Sequence, residues 1–200
     1  MRVYLKICLI ITTMIAMTAL ATSWHPNEYK LLDIKYYNLT KAAKSQVDCL
    51  ADNIYYEAGY EQEKGKVAVA MVTLNRVNDP KFPKDICSVV KQKTNSTCQF
   101  SWFCMPFNIN KQNKVYEQAM DVALHVYVNY EMLEDVTKGA LYYHADYVNP
   151  RWKLTKTTTI GRHIFYKEGV KINDDKTKSA VERRKQFQAL VLSADGRDKS

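Results

Sequence analysis

One predicted helix of this chain is apolar on almost every side, and this feature constrains the fold most. The pattern predicts a helix over about 62–77, and residues 67–74 within it read VAVAMVTL. An amphipathic helix packs one face against a core, whereas a helix that is apolar all round has to be enclosed by other elements. The Asn78-Asp79-Pro80 sequence ends it, because proline disfavours helical backbone in the preceding residue. We therefore expect a fold built around a buried central helix.

Further helices and a short β element are predicted around this central helix. From Gln46, apolar residues recur every three or four positions as far as Gly59, and another helix is expected over about 114–130. Two β-like segments follow, at 140–144 and 157–166. The sequence therefore predicts an α+β, mainly helical domain with a small β element.

The predicted domain is preceded by a segment typical of exported proteins. Two cations, an uncharged stretch over 7–21 and the small-x-small sequence Ala19-Leu20-Ala21 form the pattern of a secretory signal peptide. A weak N-terminal membrane anchor is the alternative, because the apolar segment approaches the length that spans a bilayer. The expected organisation is a signal peptide or anchor (1–21), a linker (22–45), the globular domain (46–168), and a C-terminal amphipathic helix and tail (169–200).

Charge and export together restrict the partners of this chain. It carries 29 Lys and Arg against 21 Asp and Glu, a formal net charge of +8. Such an excess suits nucleic acid, anionic lipid or an acidic cell-wall polymer. Export to the periplasm or cell envelope, with transient anchoring in the inner membrane if the leader is retained, argues against nucleic acid. We expect a monomer that meets the membrane only through its N-terminal segment.

Four cysteines follow the leader, and in an exported chain an even number indicates two disulfides. Their separations of 38, 11 and 6 residues do not match the close pairs of a zinc site, and we expect neither a metal nor a cofactor. Three pairings are possible. Cys49 with Cys87 and Cys98 with Cys104 is favoured over Cys87 with Cys104 and Cys49 with Cys98.

Two carboxylates at the end of the first predicted helix are the candidates for acid–base chemistry. Glu57 and Glu61 are four residues apart, so each lies near the other and near the negative end of the helix dipole. Both effects raise the pKa of a carboxyl group, and Tyr55, Tyr56 and Tyr60 add apolar surface. A glutamic acid that stays protonated near neutral pH can protonate a glycosidic oxygen. The alternative is that Glu61 belongs to a solvated helix end.

Five sequence blocks follow one another along the predicted domain. They are CLADNIYYEAGYE at 49–61, GKVAVA at 65–70 with LNRV at 74–77, PKFP at 80–83, CQFS at 98–101, and GALYYH at 139–144 with GRHIFY at 161–166. Together they span about residues 47–167, and the combination of five is specific although each alone is weak. In these blocks and their order the chain resembles the catalytic domain of bacterial cell-wall hydrolases of the spore cortex-lytic type (SleB/CwlJ-like), in a proteobacterial or phage variant.

The resemblance implies a lysozyme-like, lytic-transglycosylase-like domain that binds peptidoglycan glycan strands. Its activity would be cleavage of the bond between N-acetylmuramic acid and N-acetylglucosamine, with Glu57 as general acid and base. One carboxylate suffices because the nucleophile is the sugar's own 6-hydroxyl. The alternatives are a hydrolytic muramidase of the phage endolysin type, which needs a second group at a defined separation, and a non-catalytic wall-binding module.

One departure from the family concerns the catalytic turn. The family usually has Glu-Ala-Arg-Gly-Glu, whereas this chain has Glu57-Ala58-Gly59-Tyr60-Glu61. Both carboxylates are retained, but the arginine is missing and the glycine comes one position early. Any contribution of that arginine to the orientation of Glu61 is therefore in question.

Further residues are candidates for binding substrate or supporting the site. Strand alternation predicts that Tyr143 is buried while its neighbours on each side face the cleft. Arg76, in the buried helix, is expected to form a structural ion pair with Glu61. The predicted substrate contacts are Tyr56, Gln99, Phe100, Ser101, Tyr142 and His144, with structural roles in a disulfide loop or at a strand end as the alternatives.

Overall fold

A computed structural model describes residues 31–95, 97–105 and 110–169 of the 200-residue chain. The chain divides into two compact units, 1–31 and 32–200. Only Leu31 of the first unit is described, and the following account concerns the second. The predicted signal peptide or anchor lies outside the described residues, as does the predicted C-terminal helix. In the described part of the chain, no helix is both long and apolar enough to cross a bilayer.

Four α-helices and two small antiparallel sheets make up the described fold. A three-stranded sheet has the order β3-β5-β4, and β1 pairs with β2. Single 3-10 turns lie at Tyr36–Asn38 and Ser101–Cys104. The helices are α1 (Lys41–Ala58), α2 (Glu63–Asn78), α3 (Ile86–Val90) and α4 (Lys114–Asn129), and the strands are β1 (Lys93–Thr94), β2 (Thr97–Cys98), β3 (Tyr142–Ala145), β4 (Thr155–Ile160) and β5 (His163–Lys167).

Helix α2 is the enclosed central helix that the sequence predicts. Its residues Val69, Met71 and Leu74 belong to the larger core, which it shares with α1 and α4. Its residues Ala68 and Val72 belong to a second, smaller core with the three-stranded sheet. Two cores on different sides of one helix explain why its sequence is apolar all round. The mainly helical α+β class is confirmed.

Helix α1 begins five residues before the predicted start at Gln46. Thr40 caps it, because the Thr40 side chain accepts a hydrogen bond from the Ala43 backbone N–H at 3.2 Å. Leu39, only 7% exposed, joins the main core just before the cap. Residues 22–45 were expected to form a linker. The described part of this range belongs to the domain instead, because several of its residues pack against the main core and Lys41 begins α1.

The second predicted β segment is a hairpin rather than one strand. Strands β4 and β5 are joined at Gly161 and Arg162, and Gly161 has a φ of +55°, a left-handed conformation that favours glycine. In β3, Tyr143 pairs with Phe165 of β5, whose ring is fully buried in the smaller core. This pairing brings one face of β3 toward the helices.

The disulfide pairing is the one that the sequence favoured. Cys49 of α1 is bonded to Cys87 of α3, which we call the long-range disulfide, with Cα atoms 5.2 Å apart. Cys98 is bonded to Cys104, which we call the loop disulfide. Helix α3, which the sequence analysis did not predict, is only one turn long and begins with an Asp85 side-chain cap.

Candidate active site

Glu57 lies in the last turn of α1 with its carboxyl group held between a helix end and the sheet. The Tyr143 hydroxyl of β3 donates a hydrogen bond to Glu57 Oε2 at 3.1 Å. Burial raises the pKa of the Glu57 carboxyl, although the Tyr143 hydrogen bond and the Arg76 charge act in the opposite direction. The direction agrees with the expectation for a general acid. The surroundings differ, since Tyr60 is 97% exposed and contributes little desolvation.

Tyr143 is therefore the member of the Tyr142-Tyr143-His144 sequence that contacts Glu57. The predicted alternation is confirmed, but Tyr142 and His144, which were expected to face the cleft, alternate with Tyr143 and so project from the opposite face of β3. Burial raises the pKa of the Tyr143 hydroxyl well above its ordinary value, so this group stays protonated and remains a donor. The ring packs edge-on against His163, with centroids 5.1 Å apart.

Arg76 lies in the interior on α2 and is only 3% exposed. Its Nε donates to the Leu141 carbonyl at 2.7 Å, immediately before β3. Its guanidinium lies 5.2–5.9 Å from the ring centroids of Phe82, Phe100 and Tyr142. The predicted ion pair with Glu61 is wrong, because no ion pair within the described ranges joins Arg76 to Glu61, and the carboxyl group whose charge acts on Arg76 is that of Glu57. Arg76 instead connects the helix, the start of β3 and the Glu57 carboxyl.

Glu61 lies beyond the end of α1 and is occupied by contacts with backbone. Its Oε1 accepts a hydrogen bond from the Arg162 backbone N–H at 3.3 Å, in the β4–β5 turn. Its carboxylate fills the space beside Gly161, where a Cβ would overlap Oε2, and a Cβ on Gly65 would lie 2.8 Å from the Glu61 Cβ. The arginine of the family's catalytic turn, which this chain lacks, was in question as a group that orients Glu61. In this chain the Arg162 backbone N–H contacts the Glu61 carboxylate instead. The two glutamates therefore have different surroundings.

A groove of about 530 Å³ runs past both carboxylates at the end of α1. His163 also lines it, and the sequence analysis did not assign this residue to the site. Burial lowers the pKa of His163, with Glu61 and Asp146 opposing the shift. The sequence signal that could have identified His163 is its place in the GRHIFY block, at the start of a strand directly after the turn at Gly161 and Arg162. The described lining comprises Tyr56, Glu57, Ala58, Gly59, Tyr60, Glu61, Ala145, Tyr147, Arg162 and His163.

Tyr56 meets the segment closed by the loop disulfide through Trp102. The two rings stack with centroids 4.6 Å apart and planes inclined by 16°. The Trp102 indole N–H donates to Asn53 Oδ1 of α1 at 3.2 Å. Trp102 was missed as a site residue, although it directly follows the CQFS block. It attaches the loop to the helix that carries Glu57.

The three predicted contacts inside the CQFS block have different positions. Gln99 and Ser101 are exposed. Phe100 is only 4% exposed and belongs to the main core, where it packs against the Arg76 guanidinium. The prediction that Phe100 packs on a sugar face is therefore wrong, and its structural alternative is correct.

No group of three or more His, Cys, Asp or Glu side chains is arranged to hold a metal ion in the parts of the chain that the structure describes. A buried carboxyl group with a raised pKa, a hydroxyl donor on one oxygen and a nearby guanidinium can exchange a proton with a bound oxygen atom.

Comparison with known proteins identifies similar sequences. A family model described as Cell Wall Hydrolase matches residues 60–166, starting three residues after Glu57. The spore cortex-lytic enzyme of Bacillus subtilis strain 168 is 28% identical over 130 residues, covering 62% of this chain and 38% of that enzyme. The spore cortex-lytic enzyme of Halalkalibacterium halodurans is 27% identical over 128 residues, covering 60% of this chain and 34% of that enzyme. The chain thus spans well under half the length of these relatives.

Two solved structures are also similar. One is the catalytic domain of the germination-specific lytic transglycosylase SleB from Bacillus anthracis, with 25% identity and a TM-score of 0.49, covering 72% of this chain and all of that one. The other is the catalytic domain of the Bacillus cereus SleB protein, with 23% identity and a TM-score of 0.44, covering the same shares of the two chains.

Proposed function

The chain belongs to the cell wall hydrolase family, and from this membership we propose that it degrades peptidoglycan by lytic transglycosylation. The bond cleaved is that between N-acetylmuramic acid and N-acetylglucosamine. The observation that carries the proposal is the Glu57 carboxyl group, which burial keeps protonated to higher pH and which lies in an open groove. The relatives named spore cortex-lytic enzyme support the same class of substrate.

The proposed reaction uses Glu57 first as acid and then as base. Its protonated oxygen donates the proton to the glycosidic oxygen as the bond from that oxygen to C1 of the muramoyl residue breaks. The resulting carboxylate is stabilised by the Tyr143 hydroxyl and the Arg76 charge. The same carboxylate then takes the proton of the muramoyl 6-hydroxyl while that oxygen bonds to C1. The products are a 1,6-anhydro sugar and a free 4-hydroxyl, and no water is consumed.

The position of Glu61 favours transglycosylation over hydrolysis by a carboxylate pair. A hydrolase of that kind needs the second carboxylate free to act as nucleophile or to activate water. Here Glu61 is half-buried, accepts a backbone hydrogen bond from Arg162 and packs closely against Gly65 and Gly161. Its proposed role is to position the β4–β5 turn beside the groove.

The proposed location is outside the cytoplasm, in the periplasm or cell envelope, with a monomer acting on glycan strands. The two disulfides support this, because such bonds persist in oxidising compartments. The net charge of +8 suits a wall polymer that carries carboxylates. The activity is the same whether the leader is removed or is retained as an anchor. It also suits an enzyme of wall growth and an enzyme of phage lysis.

The test compares Glu57→Gln with wild-type protein on purified sacculi. We expect clearing of the suspension to fall by about 10²–10⁴-fold, because the amide cannot deliver the proton. Glu117→Gln on exposed α4 surface is the matched control and should clear sacculi normally. Mass spectrometry of the released fragments should find anhydro-muropeptides, whereas new reducing ends would indicate a muramidase. Activity of Glu57→Gln above a tenth of wild type would refute the assignment, and inactive wild-type protein that still pellets with sacculi would indicate a binding module.

A further inference from the structure

Four ring side chains cluster at the three-stranded sheet, where strand alternation directs the three that lie on strands opposite to Tyr143, the residue that contacts Glu57. We call this cluster the outer aromatic patch, and its members are Tyr142, His144, Trp152 and Tyr166. Tyr142 and His144 alternate with Tyr143 on β3. Tyr166 lies on the neighbouring strand β5, directly opposite Tyr142. Trp152 comes from the segment before β4. The proposed reaction uses none of these four side chains.

The rings of the patch are held in one arrangement. His144 stacks on Tyr166 with centroids 5.2 Å apart, and Trp152 stands edge-on to His144 and Tyr166 at 5.4 and 5.8 Å. The His144 Nδ1 donates to the Ala145 carbonyl at 2.8 Å, because a carbonyl can only accept, and the His144 Nε2 lies 3.0 Å from the Tyr166 hydroxyl. A ligand that binds there does not have to order these rings, which lowers the entropic cost of binding.

Trp152 is the exposed part of the patch, and its surroundings are cationic. Its side chain is 42% exposed although three rings support it. The exposed residues Arg151, Lys153 and Lys156 lie beside it in sequence. Glu168, an acidic residue near the patch, is paired with Lys81 and accepts a hydrogen bond from the Tyr142 hydroxyl. The patch therefore offers an aromatic surface with an excess of positive charge at its rim.

This combination suits a carbohydrate that carries anions better than it suits an apolar protein surface. A pyranose ring has an apolar C–H face that packs on an aromatic ring, while its hydroxyl groups need polar neighbours at the rim. An apolar protein partner would bring neutral surface against three cations and leave them desolvated without a counter-charge. Peptidoglycan supplies both parts of the match, because its glycan strands bear peptide stems that end in carboxylates.

We propose that the outer aromatic patch is a second glycan-binding site, which holds a peptidoglycan strand on Trp152 apart from the bond that Glu57 cleaves. The proposal rests on the proposed function, because that function identifies the polymer. Tyr142 and His144 then contact substrate, as the sequence analysis expected, but from the outer face of the sheet. A second contact of this kind lets the enzyme stay on an insoluble wall between cleavages.

The test measures binding to purified sacculi in the Glu57→Gln background, where the polymer stays intact during the assay. Adding Trp152→Ala should weaken pelleting by about 3- to 10-fold, the range expected for loss of one aromatic stack. Adding Trp152→Phe should restore most of the affinity, since a ring remains. Tyr37→Ala, which removes an exposed aromatic side chain from the 3-10 turn at Tyr36–Asn38, is the matched control and should change nothing.

Glycan strands freed of their peptide stems distinguish the contact of the sugar rings with Trp152 from the contact of the stem carboxylates with the lysines. The effect of Trp152→Ala should persist on these strands, whereas the effect of replacing Lys153 and Lys156 by glutamine should disappear. Pelleting of Trp152→Ala equal to its parent, or no pelleting of the parent itself, would overturn the patch proposal. If Trp152→Ala does not fold, equal binding by Trp152→Phe and by Trp152→Leu, which lacks an aromatic ring, would overturn it. Failure of wild-type protein to release muropeptides, with the Trp152 effect intact, would refute only the proposed function.

Discussion

Replacing Gly161 by alanine tests whether Glu61 holds the β4–β5 turn against the end of α1. Alanine at this position has two separate costs. The residue has a φ of +55°, and a left-handed conformation costs an L-residue about 1–2 kcal/mol. The new Cβ would also overlap Glu61 Oε2, so the carboxylate has to leave its place and give up the Arg162 backbone N–H. Loss of a hydrogen bond to a charged acceptor adds about 1–3 kcal/mol.

Gly139 provides the matched control for the first of these costs. It also has a positive φ, +78°, but a Cβ added there meets nothing within 4 Å. Gly139→Ala should therefore lose only about 1–2 kcal/mol of unfolding free energy, and Gly161→Ala should lose about 1–3 kcal/mol more. Urea unfolding of the oxidised protein, followed by circular dichroism, measures both values under the same conditions.

A double-mutant cycle with Glu61→Ala then isolates the contact between the two residues. Once the carboxylate is removed, Gly161→Ala should cost no more than Gly139→Ala, which gives a coupling energy of about 1–3 kcal/mol. Clearing of sacculi should fall in Gly161→Ala, because Glu61 and Arg162 line the groove beside Glu57. Equal destabilisation by the two glycine substitutions, within about 0.5 kcal/mol, would refute the structural role of Glu61.

Three further predictions concern the acid and the disulfides. Tyr143→Phe removes a donor that favours the charged form of Glu57 and so raises the pKa of that carboxyl further; the high-pH limb of the clearing rate should move to higher pH, and a move to lower pH would contradict this. Because the folded-state pKa of Glu57 is raised, its contribution to stability is full below the unfolded-state pKa and is lost as pH rises through the folded-state pKa. Urea unfolding should accordingly show Glu57→Gln gaining stability relative to wild type between pH 4 and 8, and parallel curves would disprove the linkage. Opening the long-range disulfide with serine at both cysteines should cost about 4 kcal/mol and opening the loop disulfide about 2 kcal/mol, from loop lengths of 38 and 6 residues; the reverse order in urea unfolding would contradict the entropic argument.

Local signals in the sequence determined the main helices. Helix α2 was predicted over about 62–77 and runs from Glu63 to Asn78, because an apolar run bounded by Asn78-Asp79-Pro80 has few other solutions. Helix α1 ends where Gly59 was expected to end it. The start of α1 was missed because residues 36–45 have no sustained apolar period. The helix starts at Lys41 because Thr40 caps it and because Leu39, just before the cap, is buried. The burial of Leu39 depends on core residues from elsewhere in the chain.

The choice of Glu57 was also available from sequence, since the order of the five blocks identifies the motif that contains it. The environment that raises the pKa of its carboxyl group was not available from the sequence. The group that contacts its carboxyl, Tyr143, is 86 residues away, and strand alternation predicts that Tyr142 and Tyr143 face opposite sides without saying which side meets α1. The register between β3 and β5 decides that, because it directs Phe165 and Tyr143 together toward the helices.

Tertiary packing likewise decided the partners of the other candidates. A phenylalanine after a cysteine can face solvent or core with the same local sequence, and Phe100 is buried because the Arg76 guanidinium and the main core accept its ring. Arg76 was expected to pair with Glu61, but Glu61 follows the end of α1 and turns toward Gly161. Periodicity in a sequence reports which residues share a face of one element. Which faces of different elements meet depends on how all of them bury their apolar surface at once, and a charge or a ring finds its partner only after that choice is made.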